Sequence, residues 1–464
     1  MLAATTEPVA IPRAVASWRA LVPALALPVL FLHVKYQPKV TFGLRSTTVG
    51  IELSDVAVVA IVVAACSAGL RDGWAPLRSA RRLWLAGGAF LLLVAAATVY
   101  PLLWQDHYRF LKHLVTAAKF CEYGLLAPAI VLLVRSRREA LPLLWAAAAW
   151  SVAATGWALL QFSGLVKELE GKRPLQREPS FLGIHDFAAL SGAALALALA
   201  VLMLPARSRS ERALAWIAGP AGALGLALSS TAAGAIAAAL AAVAVLALAA
   251  GRRELAPARA VAVVALAGAA ALGVLLMRNG DIPRAIRAVG IGSEPKPRTG
   301  IDIESYAHRS LLAYIGVRIF ADHPLVGVGW QGSEEFENYG PYLDDAHGRY
   351  PREPEVAFPS PEHAWGVQNA YLQTLTDLGL IGFIVLATLL VFAVALGARA
   401  ALRAPPNAVL PAAAGLLWLL VAAGVWNGLG LVAGIPLDAL TWLGVGLIAS
   451  AAAWSDVATT EPAR

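Results

Sequence analysis

Charge is what this sequence has least of. Only 14% of its 464 residues are charged, against about 25% in a soluble globular chain. That deficit excludes an ordinary water-exposed design. The chain has two cysteines, Cys66 and Cys121. Both stand in apolar stretches, which argues against a disulfide or a metal site and for two small buried hydrophobes. No HExxH, no Walker loop and no Cys/His constellation with metal-ligand spacing occurs. Lysine is scarce beside arginine, and no internal repeat is evident. The first apolar run, Leu21 to Val34, lacks a small-residue cleavage site after it and is expected to remain as a span.

Apolar length is there in place of charge. Apolar residues make up 59% of the chain, and many runs reach the roughly 20 residues needed to cross a bilayer. They fall near 18–34, 51–70, 83–103, 114–134, 140–162, 187–205, 212–229, 231–250, 257–277, 379–399, 407–426 and 431–454. If the turn at Ser229–Thr231 marks one bent re-entrant segment, the count drops. The net charge of +7 is gathered in short arginine clusters, which signals membrane orientation and not nucleic acid. Arg71, Arg78, Arg81 and Arg82 follow span two, and Arg135, Arg137 and Arg138 follow span four. Arg207, Arg209 and Arg212 follow span six, Arg252, Arg253 and Arg259 span eight, and Arg399 and Arg403 span ten. Every second loop is therefore arginine-rich, which puts both termini in the cytoplasm. Lys35, Lys39 and Arg45, in the first outer loop, run against the pattern. The expected architecture is an all-α polytopic membrane protein of about twelve transmembrane helices. Residues 1–277 carry spans one to nine, and 278–365 form a long extracytoplasmic loop with a surface helix. Residues 366–464 carry a lead-in helix and spans ten to twelve.

The chemistry is expected on the outer side. Two substantial loops lie there, about 163–186 and 278–365. All eight histidines (His33, His107, His113, His185, His308, His323, His347, His363) fall in outer loops or near outer span ends, and histidine is the side chain best suited to move protons near neutral pH. Ser305–Ala321 reads as a helix with Leu312, Ile315 and Ile319 on one stripe, ending before Pro324. The stretch 351-PREPEVAFPSPEH-363 should be irregular. After it, 366-GVQNAYLQTLTDLGLIGF-383 reads as a helix with Asn369, Gln373 and Thr376 on its polar face. Spacing alone is equally served by an amphipathic lead-in helix without chemistry. Within the spans, Asp55, Lys119, Glu122 and Asp438 are ionisable and so point to function by default. Lys119 and Glu122, three apart on one helix, could neutralise each other.

An arginine-initiated helix, then 323-HPLVGVGW-330, then a QNAYLQ…LGLIG run leading into a late span: in that order this resembles the O-antigen ligase and polymerase family of bacterial membrane glycosyltransferases. The specific motifs cover about 305–383. The resemblance implies a GT-C-like fold in the bacterial inner membrane. It implies transfer of a glycan from undecaprenyl diphosphate to a lipid or glycan hydroxyl, with no cofactor, nucleotide sugar or metal. A polymerase of the same family is the near alternative. A transporter or flippase is the alternative of another class, although no matching pair of broken helices is visible.

The resemblance also implies roles. Cations must hold the departing diphosphate, and arginine forks onto phosphate oxygens. Arg309 matches the family's loop arginine, and Arg177, in 177-REPSFLGIHDF-187, the arginine before span six. Arg109, at the outer start of span four, could face phosphate or anchor to headgroups. His185 and Asp438 are supporting candidates, Asp438 as a partner for an active-site arginine; His185 with Asp186 also fits an ordinary helix start. The chain departs from the family twice. Gln368-Asn369 stands where the family carries His-Asn, and glutamine is no base: either His363, five residues earlier, takes that role, or the position, with Gln368 and Asn369, serves orientation and not proton transfer. The family's Ser-Arg opening span eight is here 229-SSTAAG-234, so that cation is either missing or supplied from elsewhere.

Overall fold

The computed structural model describes residues 17–44, 47–105, 108–167, 175–204, 208–278, 305–405 and 408–460. Arg45, His107, Arg207 and the 279–304 part of the large loop lie outside these. The helices in chain order are α1 (Trp18–Leu30), α2 (Leu53–Asp72), α3 (Arg81–Val99), α4 (Phe110–Gly124), α5 (Leu126–Leu133), α6 (Arg137–Phe162), α7 (Ile184–Met203), α8 (Arg209–Ser229), α9 (Ala232–Gly251) and α10 (Pro257–Met277). They continue with α11 (Ser305–Asp322), α12 (Ala370–Arg403), α13 (Val409–Trp426) and α14 (Pro436–Thr460). The chain is thus an all-α polytopic membrane protein: ten helical stretches among the described residues are long and apolar enough to cross a membrane. Two of the twelve expected segments are not among those ten. Helix α1 has only 13 residues, and α8 carries Arg209, Glu211 and Arg212 in its first turn. The turn at Ser230, in the left-handed region (φ 47°), separates α8 from α9 as two full helices.

Helices α7 and α13 form the centre, with 89% of each apolar window buried, whereas α10 lies at the periphery with 17%. Outward faces such as those of α2 and α10 expose Val59, Val63, Val261 and Val264, as lipid-facing helices do. Cys66 sits on such a face and is exposed, so it is not the buried hydrophobe its apolar surroundings suggested; Cys121 is half-buried, and both are free.

The arginine-rich loops gather at one end of the bundle. Arg135 donates to the carbonyls of Ala68 and Gly73 and pairs with Asp72. Arg137 pairs with Glu211, and Arg252 donates to the carbonyls of Ala401, Leu402 and Ala404. A two-stranded antiparallel hairpin, β1 (Lys39–Leu44) with β2 (Thr47–Glu52), stands at the other end. No alternation signal in the sequence had pointed to it. Lys119 reaches across to this hairpin's end, pairing with Glu52 at 3.0 Å and Asp55 at 3.4 Å. Its partner is therefore not Glu122; an ion pair between helices replaces the one expected within a helix.

The HPLVGVGW motif is a lock. Helix α12 breaks at Gly379, whose φ is 65° and ψ is −169°. The loop after α11 hydrogen-bonds into that break: Val328 N donates to Thr376 O, Gly329 N to Asp377 O, Leu380 N to Pro324 O and Ile381 N to Leu325 O. Two glycines allow this close approach. A Cβ on Gly327 would lie 2.4 Å from the Asp377 carbonyl carbon, and one on Gly379 would lie 2.3 Å from that of Leu325. Both have positive φ, which glycine adopts without steric penalty. The Asp377 carboxylate closes the lock, accepting from Ser333 N at 3.0 Å and from Gln373 Nε2 at 2.9 Å. Leu311, Leu312, Ile315 and Ile319 of α11 are buried, and Thr376 donates to the Gly316 carbonyl. The surface helix is therefore packed on α12 rather than loose on the membrane.

Candidate functional site

Fixing α11 fixes Arg309, one residue after the buried His308. A guanidinium has only donors, so the 3.3 Å contact between Arg309 Nη2 and His185 Nε2 makes Nε2 the acceptor. The ring proton then sits on Nδ1, which is buried and meets no hydrogen-bond partner among the described residues. The backbone at Gly428 forms the opposite wall: a Cβ there would be 3.3 Å from both Arg309 Nη1 and His185 Cε1. Burial, with the like charges of Arg278 and Arg177, presses the Arg309 pKa below the ordinary arginine range. Arginine stays charged regardless. Among the described residues no carboxylate pairs with Arg309.

Arg278, which the sequence reading missed, is the third cation. It caps the end of α10 and donates to the Ser230 carbonyl at 3.2 Å, with its guanidinium 5.1 Å from the Tyr306 ring. Ser230 belongs to the 229-SSTAAG-234 stretch that lacks the expected arginine. A cation stands beside that stretch after all, delivered from the next helix end. His308 is held down from the ordinary histidine range by burial and by Arg309, while it bonds the Ala357 backbone. It meets Trp365 edge-on at 5.1 Å.

Of the residues named from the sequence, Arg309, Arg177 and His185 come together. Asn369 caps α12, accepting from Tyr371 N and Leu372 N, and donates to Asn427. Gln368 is half-buried beside it. His363 is exposed, tied in a turn to Ser360, its ring stacked 5.9 Å from Trp365. Asp438 accepts from Gly434 N at 2.9 Å and meets no arginine among the described residues. Asp186 accepts from Leu437 N at 2.8 Å; it caps α14 rather than its own helix, an anion at a helix N-terminus.

Arg109 is bound in a cluster of its own. It forks onto Glu335, with Nε at 2.9 Å and Nη2 at 2.8 Å. His113 Nε2, fully buried, also contacts Glu335 at 2.9 Å, and Lys112 lies 3.6 Å away. Burial alone would raise the Glu335 pKa. The hydrogen bonds from His113 and Arg109 and the charges of His113 and Lys112 override it and hold Glu335 at about 2. Two cationic centres therefore exist at this end: Arg109 in one is paired with Glu335, and Arg309 in the other meets no carboxylate among the described residues. The second is suited to an anion that arrives from outside. No group of three or more histidine, cysteine or carboxylate side chains placed to hold a metal occurs among the described residues.

A multi-span helical bundle with Arg309, Arg278 and His185 near one another under one large loop is the arrangement these residues make. The sequence model of the O-antigen ligase family matches residues 213–387, from α8 through the break in α12, so the resemblance read from the motifs holds over this stretch. No curated protein matches the chain. The family match supports a membrane glycosyltransferase-like activity.

Proposed function

We propose that this chain is a metal-independent, O-antigen ligase-like glycosyltransferase. It moves a glycan from undecaprenyl diphosphate to a hydroxyl acceptor at the outer face of the bacterial inner membrane. The observation that carries the reading is the approach of Arg309, Arg278 and Arg177 around His185, with no carboxylate on Arg309 among the described residues. A lipid diphosphate brings negative charge to such a place, and cleavage of its sugar bond builds more. Guanidiniums fixed in advance for that charge stabilise the transition state beyond the bound donor. His185 orients the Arg309 fork by accepting from it. Arg278 takes the place of the arginine absent from 229-SSTAAG-234.

Because guanidiniums supply the positive charge, transfer by purified protein from a lipid-linked glycan to an acceptor is expected to survive excess chelator. Failure with every hydroxyl acceptor sinks the reading. Loss on chelation with rescue by a divalent ion shows that a metal supplies the charge.

The outer location rests on the arginine-rich loops at the opposite end, which mark the cytoplasmic side. A periplasm-active reporter fused at Gly340 should be active and one at Arg137 silent. The reverse pattern removes the site from the face where lipid-linked glycans are used.

A further inference from the structure

The segment from Trp365 to Asn369 touches two places at once. Trp365 meets His308, the neighbour of Arg309, and Asn369 bonds Asn427, next to the Gly428 wall. Between them Gly366 lies against a different group: a Cβ there would be 2.9 Å from Glu334 Oε1. Glu334 lines a pocket of about 250 Å³ together with Tyr108, Arg109, Glu335, Phe336 and Tyr339. Aromatic rings offer flat apolar faces for sugar C–H groups. Carboxylates accept from hydroxyls, so the lining suits a polyol.

The two adjacent glutamates differ in one decisive respect. Glu335 is saturated by Arg109, His113 and Lys112. Among the described residues Glu334 pairs with Lys112 alone, at 3.5 Å, and a quarter of its side chain is open. Neighbouring carboxylates in opposed environments separate into a fixed anion and a group able to exchange protons.

We propose that this pocket seats the acceptor and that Glu334 is the general base that takes the proton from its hydroxyl. The proposal rests on the glycosyltransferase reading above. Gln368 cannot accept the proton, and Glu334 presents a carboxylate against Gly366, two residues before Gln368. The Glu334 carboxylate takes the acceptor proton, and the freed oxygen pair forms the bond to the anomeric carbon. The bond from that carbon to the diphosphate oxygen breaks, its electrons leaving on the diphosphate beside Arg309. Protonated Glu334 then returns its proton to water. Burial raises the Glu334 pKa from the ordinary carboxylate range, with Lys112 and His113 opposing and Glu335 adding to it. The charges facing it are Lys112 and His113 from α4, Glu335 on its own loop, Asp377 from α12, and Arg109 across the pocket.

Glu334→Gln keeps the shape and removes the base. Its turnover should fall roughly 10²- to 10⁴-fold, while binding of a lipid-diphosphate glycan, read by thermal shift, and the KM for acceptor stay near the wild-type values. Wild-type turnover should decline as pH falls through the raised Glu334 pKa, because the protonated acid cannot accept. That acid limb should be absent in Glu334→Gln. Glu334→Asp should keep the limb with partial turnover, and it carries the test if the glutamine variant does not fold. Full turnover and an unchanged acid limb in Glu334→Gln overturn the proposal. A loss in His363→Ala greater than in Glu334→Gln also overturns it and makes His363 the base. Wild-type protein that binds donor yet transfers to no acceptor overturns the underlying reading, and this proposal with it.

Discussion

Replacing Arg309 by alanine is expected to reduce turnover by on the order of 10²–10³, the usual loss when one preorganised donor to a developing anion is removed. On the function proposed above, the guanidinium is placed for the charge that grows on the donor, steered by its contact to His185. Arg309→Lys should recover only part of the rate, because lysine keeps the charge but not the planar fork. Folding should be little disturbed, since no carboxylate pairs with Arg309 among the described residues and the apolar face of α11 is carried by Leu311, Leu312, Ile315 and Ile319. Headgroup anchoring predicts otherwise: full substitution by lysine and a mild effect of alanine. Turnover of both variants at equal amounts of folded protein decides.

Gly379→Ala should have the largest effect on the fold. The new Cβ would meet the Leu325 carbonyl carbon at 2.3 Å, in a backbone conformation that already disfavours side chains. Neither partner can move without breaking the Leu380–Pro324 and Ile381–Leu325 hydrogen bonds. Strain of this kind together with a backbone clash costs about 3 kcal/mol or more. The expected result is a lower melting temperature in detergent and proteolytic opening of the 324–334 loop. Turnover should be lost as well, because α11 and Arg309 are held through this lock. Gly348→Ala, with open space around its Cβ, is the matched control. An unchanged melting temperature in Gly379→Ala would show that the lock does not hold the loop.

The parts of this protein that could be read from sequence are those governed by short-range rules. Apolar run length located the helices, and the turn at Ser229–Thr231 proved to join two of them. The stripe Leu312, Ile315, Ile319 marked the buried face of α11. Arg309, Arg177 and His185 could be picked out because motifs flank each of them. What was hidden depends on tertiary approach. Arg278 ends α10 with no motif of its own and becomes a site residue only because Ser230 lies beside it in space. Arg109 looked like a phosphate ligand from its position, but its partner Glu335 is 226 residues away. Lys119 chose Glu52 and Asp55 over Glu122 for the same reason. Glu334 drew no notice because a pair of glutamates in a polar loop is ordinary until their neighbours are known. The hairpin at 39–52 lay in a loop with too few residues to declare a period.

The central claim is that a glycan is cut from its diphosphate beside Arg309, not carried intact. The direct measurement uses proteoliposomes containing a lipid-diphosphate glycan labelled in both lipid and sugar, together with a hydroxyl acceptor. The account predicts that sugar label appears on the acceptor, matched one for one by lipid diphosphate, and that both products disappear in Arg309→Ala. Donor that stays intact and only changes leaflet would contradict it.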